Sequence, residues 1–280
     1  MPIKVEDISY TYQMGTPFAK IALQDISLII EDNSIVGIVG STGSGKSTLL
    51  QIVSGLLIPQ KGQVLIDGVS TAHRSKNKLN VGLVYQFPEL QFVMDSVYEE
   101  IAYGLTFLNL DKREIQTRVE ESMELVGLPF KDYKNAKLNK LSSGEKRRVA
   151  IATILALQTK YLLMDEPTAG LDYPGREDLR RVIEELRNKG KTIVLVSHNL
   201  SYLLSLCEKI YVMSEGTIKK ILSQQSGLQD FAELYQEKQS LPSHLETLIK
   251  LQQKGWAIKD TIIEVEESIQ EIKNNLAISK

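Results

Sequence analysis

Ile35-Val36-Gly37-Ile38-Val39-Gly40-Ser41-Thr42-Gly43-Ser44-Gly45-Lys46-Ser47-Thr48 passes from a short β-branched run straight into a glycine-rich loop. Beyond Lys46 the apolar spacing turns helical through Leu50, Val53 and Leu57, so the order is strand, loop, helix. That context makes Gly40 to Thr48 a complete phosphate-binding loop. Its glycines let backbone N–H groups turn toward an anion, and the helix N-terminus adds its dipole. Lys46 is the type needed to neutralise β and γ phosphate oxygens, and the Ser47 hydroxyl is a candidate Mg²⁺ ligand.

Two further apolar runs have the length of buried strands, Tyr161 to Met164 and Ile193 to Val196. Each is followed at once by polar residues, Asp165-Glu166 in the first case and His198 in the second, which places these side chains at strand carboxyl ends, the ligand side of an α/β sheet. Asp165 is the candidate that holds Mg²⁺ through a water or supports its direct ligands from behind, and Glu166 the candidate general base that polarises an attacking water. A strand that ends in two acids is by itself compatible with a solvated strand end. The phosphate loop about 120 residues earlier gives the pair its meaning.

Between these strands, Leu179, Val182, Ile183 and Leu186 recur at helical spacing over Gly175 to Lys189, with Gly190 as the stop. The stretch from about 89 to 140 reads as a helical subdomain, with capping pairs Ser96/Glu99 and Asp111/Glu114 and a helix closed by Gly127. The expected class is therefore α/β, a mixed sheet flanked by helices over residues 1–221. After Ile221 the composition turns to Gln, Glu, Ser and Lys, and residues 222–280 read as a C-terminal helical extension. Ser243/Glu246 is expected to cap a helix ending at Gly255, and Thr261/Glu264 a last helix. Ile262, Val265, Ile269, Ile272 and Leu276 step along that helix by 3, 4, 3 and 4, a seam for a partner helix or for the chain's own domain.

Lys+Arg number 33 and Asp+Glu 35, so no basic excess suggests a nucleic-acid partner. The single Cys207 cannot form an intrachain disulfide and reads as a small buried apolar residue in a reducing, cytosolic setting. No run approaches the ~18 apolar residues of a membrane-spanning helix, and Met1 to Tyr12 lacks a signal-peptide pattern.

A phosphate loop is common to kinases, GTPases and motors. The subclass comes from Leu141-Ser142-Ser143-Gly144-Glu145, 20 residues before Asp165-Glu166. Here the chain resembles the ABC ATPases, whose core is a P-loop NTPase, and the segment resembles their signature motif. A serine hydroxyl and glycine-flanked N–H groups at a helix start form a second anion site. Two such surfaces cannot both reach one nucleotide. The resemblance implies a head-to-tail pair, with ATP between the phosphate loop of one subunit and the signature of the other. It also implies roles for Tyr12 as the aromatic stacked on adenine, with Tyr10 competing, and for Gln86 as the residue sensing Mg²⁺ and water. Gly170-Leu171-Asp172 becomes the loop after the catalytic acid, and His198 a γ-phosphate contact. Ser143 stands where that family usually has glycine and Glu145 where it often has glutamine, so a carboxylate pointing inward would repel phosphate. Asn33 occupies a turn usually given to glycine and tolerates φ > 0.

Gln86-Phe87-Pro88-Glu89-Leu90-Gln91-Phe92 resembles the glutamine loop of energy-coupling factor ATPases, and Ser9 to Phe18 with the helical extension resembles the second ATPase of that pair. The implied function is ATP hydrolysis that drives import of vitamins or other micronutrients. The implied partners are a second ABC ATPase, as a heterodimer or alternatively a homodimer, a transmembrane coupling subunit and substrate-binding membrane subunits. The implied location is peripheral, on the cytoplasmic face of the cell membrane. Alternatives are a cobalt- or nickel-type importer and a soluble ABC ATPase not tied to transport. Proteins of the second kind usually carry two ATPase halves in one chain or a very long coiled-coil insertion between phosphate loop and signature, and here only about 95 residues separate Lys46 from Leu141.

Overall fold

In the computed structural model, β3 (Ile35–Gly40) is buried along its whole length, and its side chains alternate between two apolar layers. Ile35 and Val39 face one layer, Val36 and Ile38 the other. β7 (Tyr161–Asp165) and β8 (Thr192–Val196) repeat the alternation, with Leu162, Met164, Ile193 and Leu195 on the first side and Tyr161, Leu163, Val194 and Val196 on the second. A period of two with both faces apolar describes a central strand of a covered sheet. The structure describes residues 2–73, 80–87, 92–223, 226–236, 241–260 and 265–278.

That sheet has six strands, in the order β10-β9-β3-β8-β7-β6, completed by β6 (Val81–Val84), β9 (Lys209–Ser214) and β10 (Thr217–Ser223). Its pairings are parallel except at the edge, where β10 returns antiparallel on β9. β10 thus runs two residues past the expected boundary after Ile221. A second, antiparallel sheet has the order β2-β1-β4-β5, from β1 (Ile3–Tyr12), β2 (Lys20–Ile30), β4 (Lys61–Ile66) and β5 (Val69–Ser70). It shares one apolar layer with α1 (Lys46–Val53) and the central sheet. The helix stops a turn earlier than the spacing to Leu57 predicts. Gly55, at φ +76, donates to the Ile52 carbonyl and Leu56 to that of Gln51, which closes the last turn.

The other layer is helical. It holds α2 (Val97–Tyr103), α3 (Lys112–Leu125), α4 (Phe130–Tyr133), α5 (Ser143–Ala156), α6 (Tyr173–Asn188) and α7 (Leu200–Leu204). Ser96 and Asp111 cap α2 and α3 as the sequence suggests, and Gly127 (φ +72) closes α3. α6 begins two residues before Gly175, because the Asp172 carboxylate caps it by accepting from the Gly175 N–H at 3.0 Å. Asn33 adopts φ +55 and donates its N–H to Thr192 Oγ1 at 2.8 Å.

α8 (Leu228–Gln236) and α9 (Ser243–Gln253) bury Leu228, Phe231, Leu234, Leu245, Leu248 and Ile249 in the same apolar cluster as the helical layer. Ser243 does not cap α9. Pro242 stands at the cap with its ring presetting φ at −55°, and its carbonyl accepts from Glu246. On α10 (Val265–Ile278) the expected seam is largely outward, with Val265 and Ile269 45% and 48% exposed. The buried positions are Ser268 and Glu271, and Ile272 packs on the core. Glu271 has a partner that sequence spacing does not reveal, the Lys259 N–H at 3.2 Å. Thr261, Ile262, Glu264 and the side chain of Leu276 lie outside the described residues, as do residues 88–91 of the glutamine-loop segment.

Candidate functional site

The loop between β3 and α1 lies flush against neighbouring backbone. A Cβ on Gly40 would stand 2.2 Å from the Met213 carbonyl oxygen, and one on Gly45, whose φ is +101, 2.5 Å from that of Ala22. Only glycine fits both places. Lys46 starts the helix and folds its buried side chain back over the loop, with Nζ donating to the carbonyls of Gly40 and Ser41, each at 2.8 Å. Burial pushes this ammonium below the usual lysine range, while the nearby carboxylates of Glu166 and Asp165 act in the opposite direction.

These groups open on a cleft of about 240 Å³. Residues far apart in the chain meet there: Tyr12 from β1, Thr42, Gly43, Lys46, Ser47 and Thr48 from the loop, Gln86 after β6, and Asp165 and Glu166 at the end of β7. Tyr12 and not Tyr10 lines the cleft. The Tyr12 hydroxyl sits 3.1 Å from Thr48 Oγ1, and Tyr10 packs edge-on against its ring, at 5.0 Å, as part of the core. Lys20, Ile21 and Ala22 of β2 complete the wall. Sequence reasoning missed these three. In the fold, Ile21 is an aliphatic strand residue left 65% exposed.

Asp165 is buried, and desolvation raises its carboxyl pKa, opposed by a hydrogen bond from Ser47. Glu166 is a non-glycine residue at φ +49, a conformation that costs roughly 1–2 kcal/mol. Its N–H donates to the Val196 carbonyl at 2.9 Å, which locks the end of β7 to β8. Glu166 Oε2 meets His198 Nδ1 at 3.0 Å and the Ser197 hydroxyl at 3.4 Å. An ionised carboxylate only accepts, so this contact puts the imidazole proton on Nδ1. The ring stays 75% exposed while the carboxylate it touches is 9% exposed.

None of Leu141 to Glu145 lines this cleft. Ser142 caps α5 in a reciprocal box: its hydroxyl accepts from the Glu145 N–H, and the Glu145 carboxylate takes the Ser142 N–H at 2.8 Å and hydroxyl at 2.7 Å. The Tyr133 hydroxyl also donates to Glu145 at 2.8 Å. Glu145 therefore turns back on its own helix start, and the Ser142 hydroxyl, the Ser142 N–H and Tyr133 hold its carboxyl below the usual glutamate range. Ser142 and Ser143 are exposed. A Cβ added to Gly144 would meet nothing within 4 Å, and this glycine has no left-handed φ. Nothing described within the chain requires glycine there.

The family model for ABC transporter matches residues 23–169. Curated relatives include the energy-coupling factor transporter ATP-binding protein EcfA2 of Caldanaerobacter subterraneus subsp. tengcongensis, 40% identical over all of this chain and 99% of its own length. EcfA2 of Streptococcus thermophilus is also 40% identical, over 96% of this chain and 98% of its own. Among solved structures, cbiO1 of Clostridium perfringens, part of the ABC transporter complex cbiONQ, is 32% identical with a TM-score of 0.71, over 85% of this chain and 91% of its own. The ATP-binding cassette MJ0796, dimeric in a post-hydrolysis state with ADP and Pi, is 29% identical with a TM-score of 0.72, over 79% of this chain and 98% of its own.

Proposed function

The chain belongs to the ABC transporter family, and from that membership we propose that it is the ATP-binding and ATP-hydrolysing subunit of an energy-coupling factor importer. One observation carries the reading: phosphate loop, two strand-end carboxylates, Gln86 and an aromatic converge on a single cleft from four separate segments. The loop N–H groups and Lys46 bind the phosphates, and Tyr12 stacks on the base. The donors around Ser47, Gln86 and Asp165 are a hydroxyl, an amide carbonyl and a carboxylate, hard oxygens that suit Mg²⁺. Bound there, the ion supplies neutralisation of charge on the β and γ oxygens. Glu166 accepts a proton from the attacking water as the new bond forms to the γ-phosphorus, and the β–γ bridge oxygen leaves with ADP. His198 orients that carboxylate through its 3.0 Å contact and serves as the γ-phosphate contact that the family resemblance assigns to it.

The signature does not line its own chain's cleft, which supports an ATP site closed by a second ATPase, with this chain's signature serving the other nucleotide. Gly144 is the supporting detail, since its missing Cβ leaves room for a ligand from outside the chain. Gly144→Ala is expected to keep or slightly raise the melting temperature, because alanine is the better helix former by roughly 0.5–1 kcal/mol. ATP-dependent association and turnover are expected to fall at least tenfold. Unchanged turnover in a folded Gly144→Ala chain would end the two-molecule reading.

No described helix is long and apolar enough to cross a membrane. Transport therefore requires transmembrane partners: a coupling subunit and the substrate-binding subunits it serves, with vitamins or related micronutrients as cargo. Affinity purification from detergent-solubilised membranes is expected to recover a second ABC ATPase together with integral membrane chains. Recovery of ribosomes or DNA-repair proteins in their place would favour the soluble class.

A further inference from the structure

The fifth residue of the signature helix, Arg147, is 4% exposed, a position arginine takes only with its donors engaged. Its guanidinium reaches out of α5 into two other segments. Nη2 donates to the Gln86 carbonyl at 2.5 Å, and Nη1 to the carbonyls of Glu166 at 3.2 Å and Pro167 at 3.5 Å. These acceptors are main-chain atoms, so these bonds set backbone position. Glu166 is also the residue held at φ +49, a conformation that persists where surrounding bonds over-determine it. Its N–H is tied to Val196, and its carbonyl takes the N–H of Ala169 at 3.1 Å as well as Arg147.

We propose that Arg147 is a positioning residue whose planar fork holds the Gln86 and Glu166 backbones in one register, so that the water-polarising carboxylate and the glutamine loop are set together by the signature helix. The inference rests on the roles assigned above to Glu166 and Gln86. Lysine keeps the charge but cannot span two diverging carbonyls, so Arg147→Lys isolates the geometry of the fork. Arg147→Gln removes the charge as well.

In the full-length chain within its purified complex, both variants are expected to bind ATP within about threefold of the parent and to lower kcat at least tenfold without raising KM. In the Glu166→Gln background, Arg147→Lys is expected to cause no further loss of single-turnover rate, because its effect passes through Glu166. Hydrogen exchange gives a readout that does not depend on turnover: the amides of Glu166 and Ala169 should exchange at least tenfold faster in Arg147→Lys, with those of Ser47 to Leu50 unchanged. Parallel loss of ATP affinity and turnover, additive effects in the double variant, or unaltered kcat would each overturn the proposal. Failure of the underlying reading shows separately, as full turnover in Glu166→Gln alone.

Discussion

Glu166→Gln is expected to lower ATP turnover by about 10²–10⁴-fold, the usual contribution of a positioned general base, while the ATP dissociation constant stays within about threefold. The amide oxygen can still accept from His198 Nδ1 and Ser197, the groups that fix the carboxylate at 3.0 and 3.4 Å, so the local frame survives. What glutamine cannot do is take the water's proton. With hydrolysis blocked, the ATP-bound assembly should accumulate, and sedimentation velocity should show a larger species with ATP than with ADP. Turnover near the parent rate would remove Glu166 as the base. A dissociation constant that rises along with the loss of rate would place the residue in binding instead.

Lys46→Ala should act on the opposite side of that division. The ammonium is buried and already donates to two loop carbonyls, so it stands in the cradle before any phosphate arrives. Charge-assisted hydrogen bonds are worth roughly 1.5–3 kcal/mol, so losing contacts to the β and γ oxygens is expected to weaken ATP binding by about 10–100-fold. Adenosine monophosphate, which lacks both groups, should bind equally to both forms. Calorimetric titration of ATP, ADP and AMP against each chain makes the comparison, and an equal loss for AMP would mean that the loop itself has collapsed. Some loss of thermal stability is expected with either outcome, because Gly40 and Ser41 lose a donor.

The two substitutions separate binding from chemistry, and Arg147 belongs with the second. Its fork donates to the main-chain carbonyls of Gln86, Glu166 and Pro167, in the glutamine loop and at the hydrolytic carboxylate. Glu145 illustrates another kind of separation. A carboxylate next to an anion site looks inhibitory on charge alone, yet hydrogen bonding turns it toward its own helix start, where it completes a cap.

Contiguous signals were enough for much of this protein. The phosphate loop, the strand ending in Asp165-Glu166, the caps at Ser96 and Asp111 and the stop at Gly190 are each written within a few neighbouring residues, because turns, caps and strand periodicity are local physics. Tertiary structure alone decided what depends on contacts between distant segments. It chose Tyr12 over Tyr10 by position along β1, because Tyr12 at the strand's end lines the cleft while Tyr10 packs on the core, and it added Lys20 to Ala22 to the wall. It turned Val265 and Ile269 outward while burying Glu271, since a hydrogen bond from Lys259 compensates an acid that spacing alone would send to solvent. It also joined Arg147 to carbonyls 61 and 19 residues away, a pairing with no local pattern because main-chain acceptors look alike in every sequence until the fold brings them together.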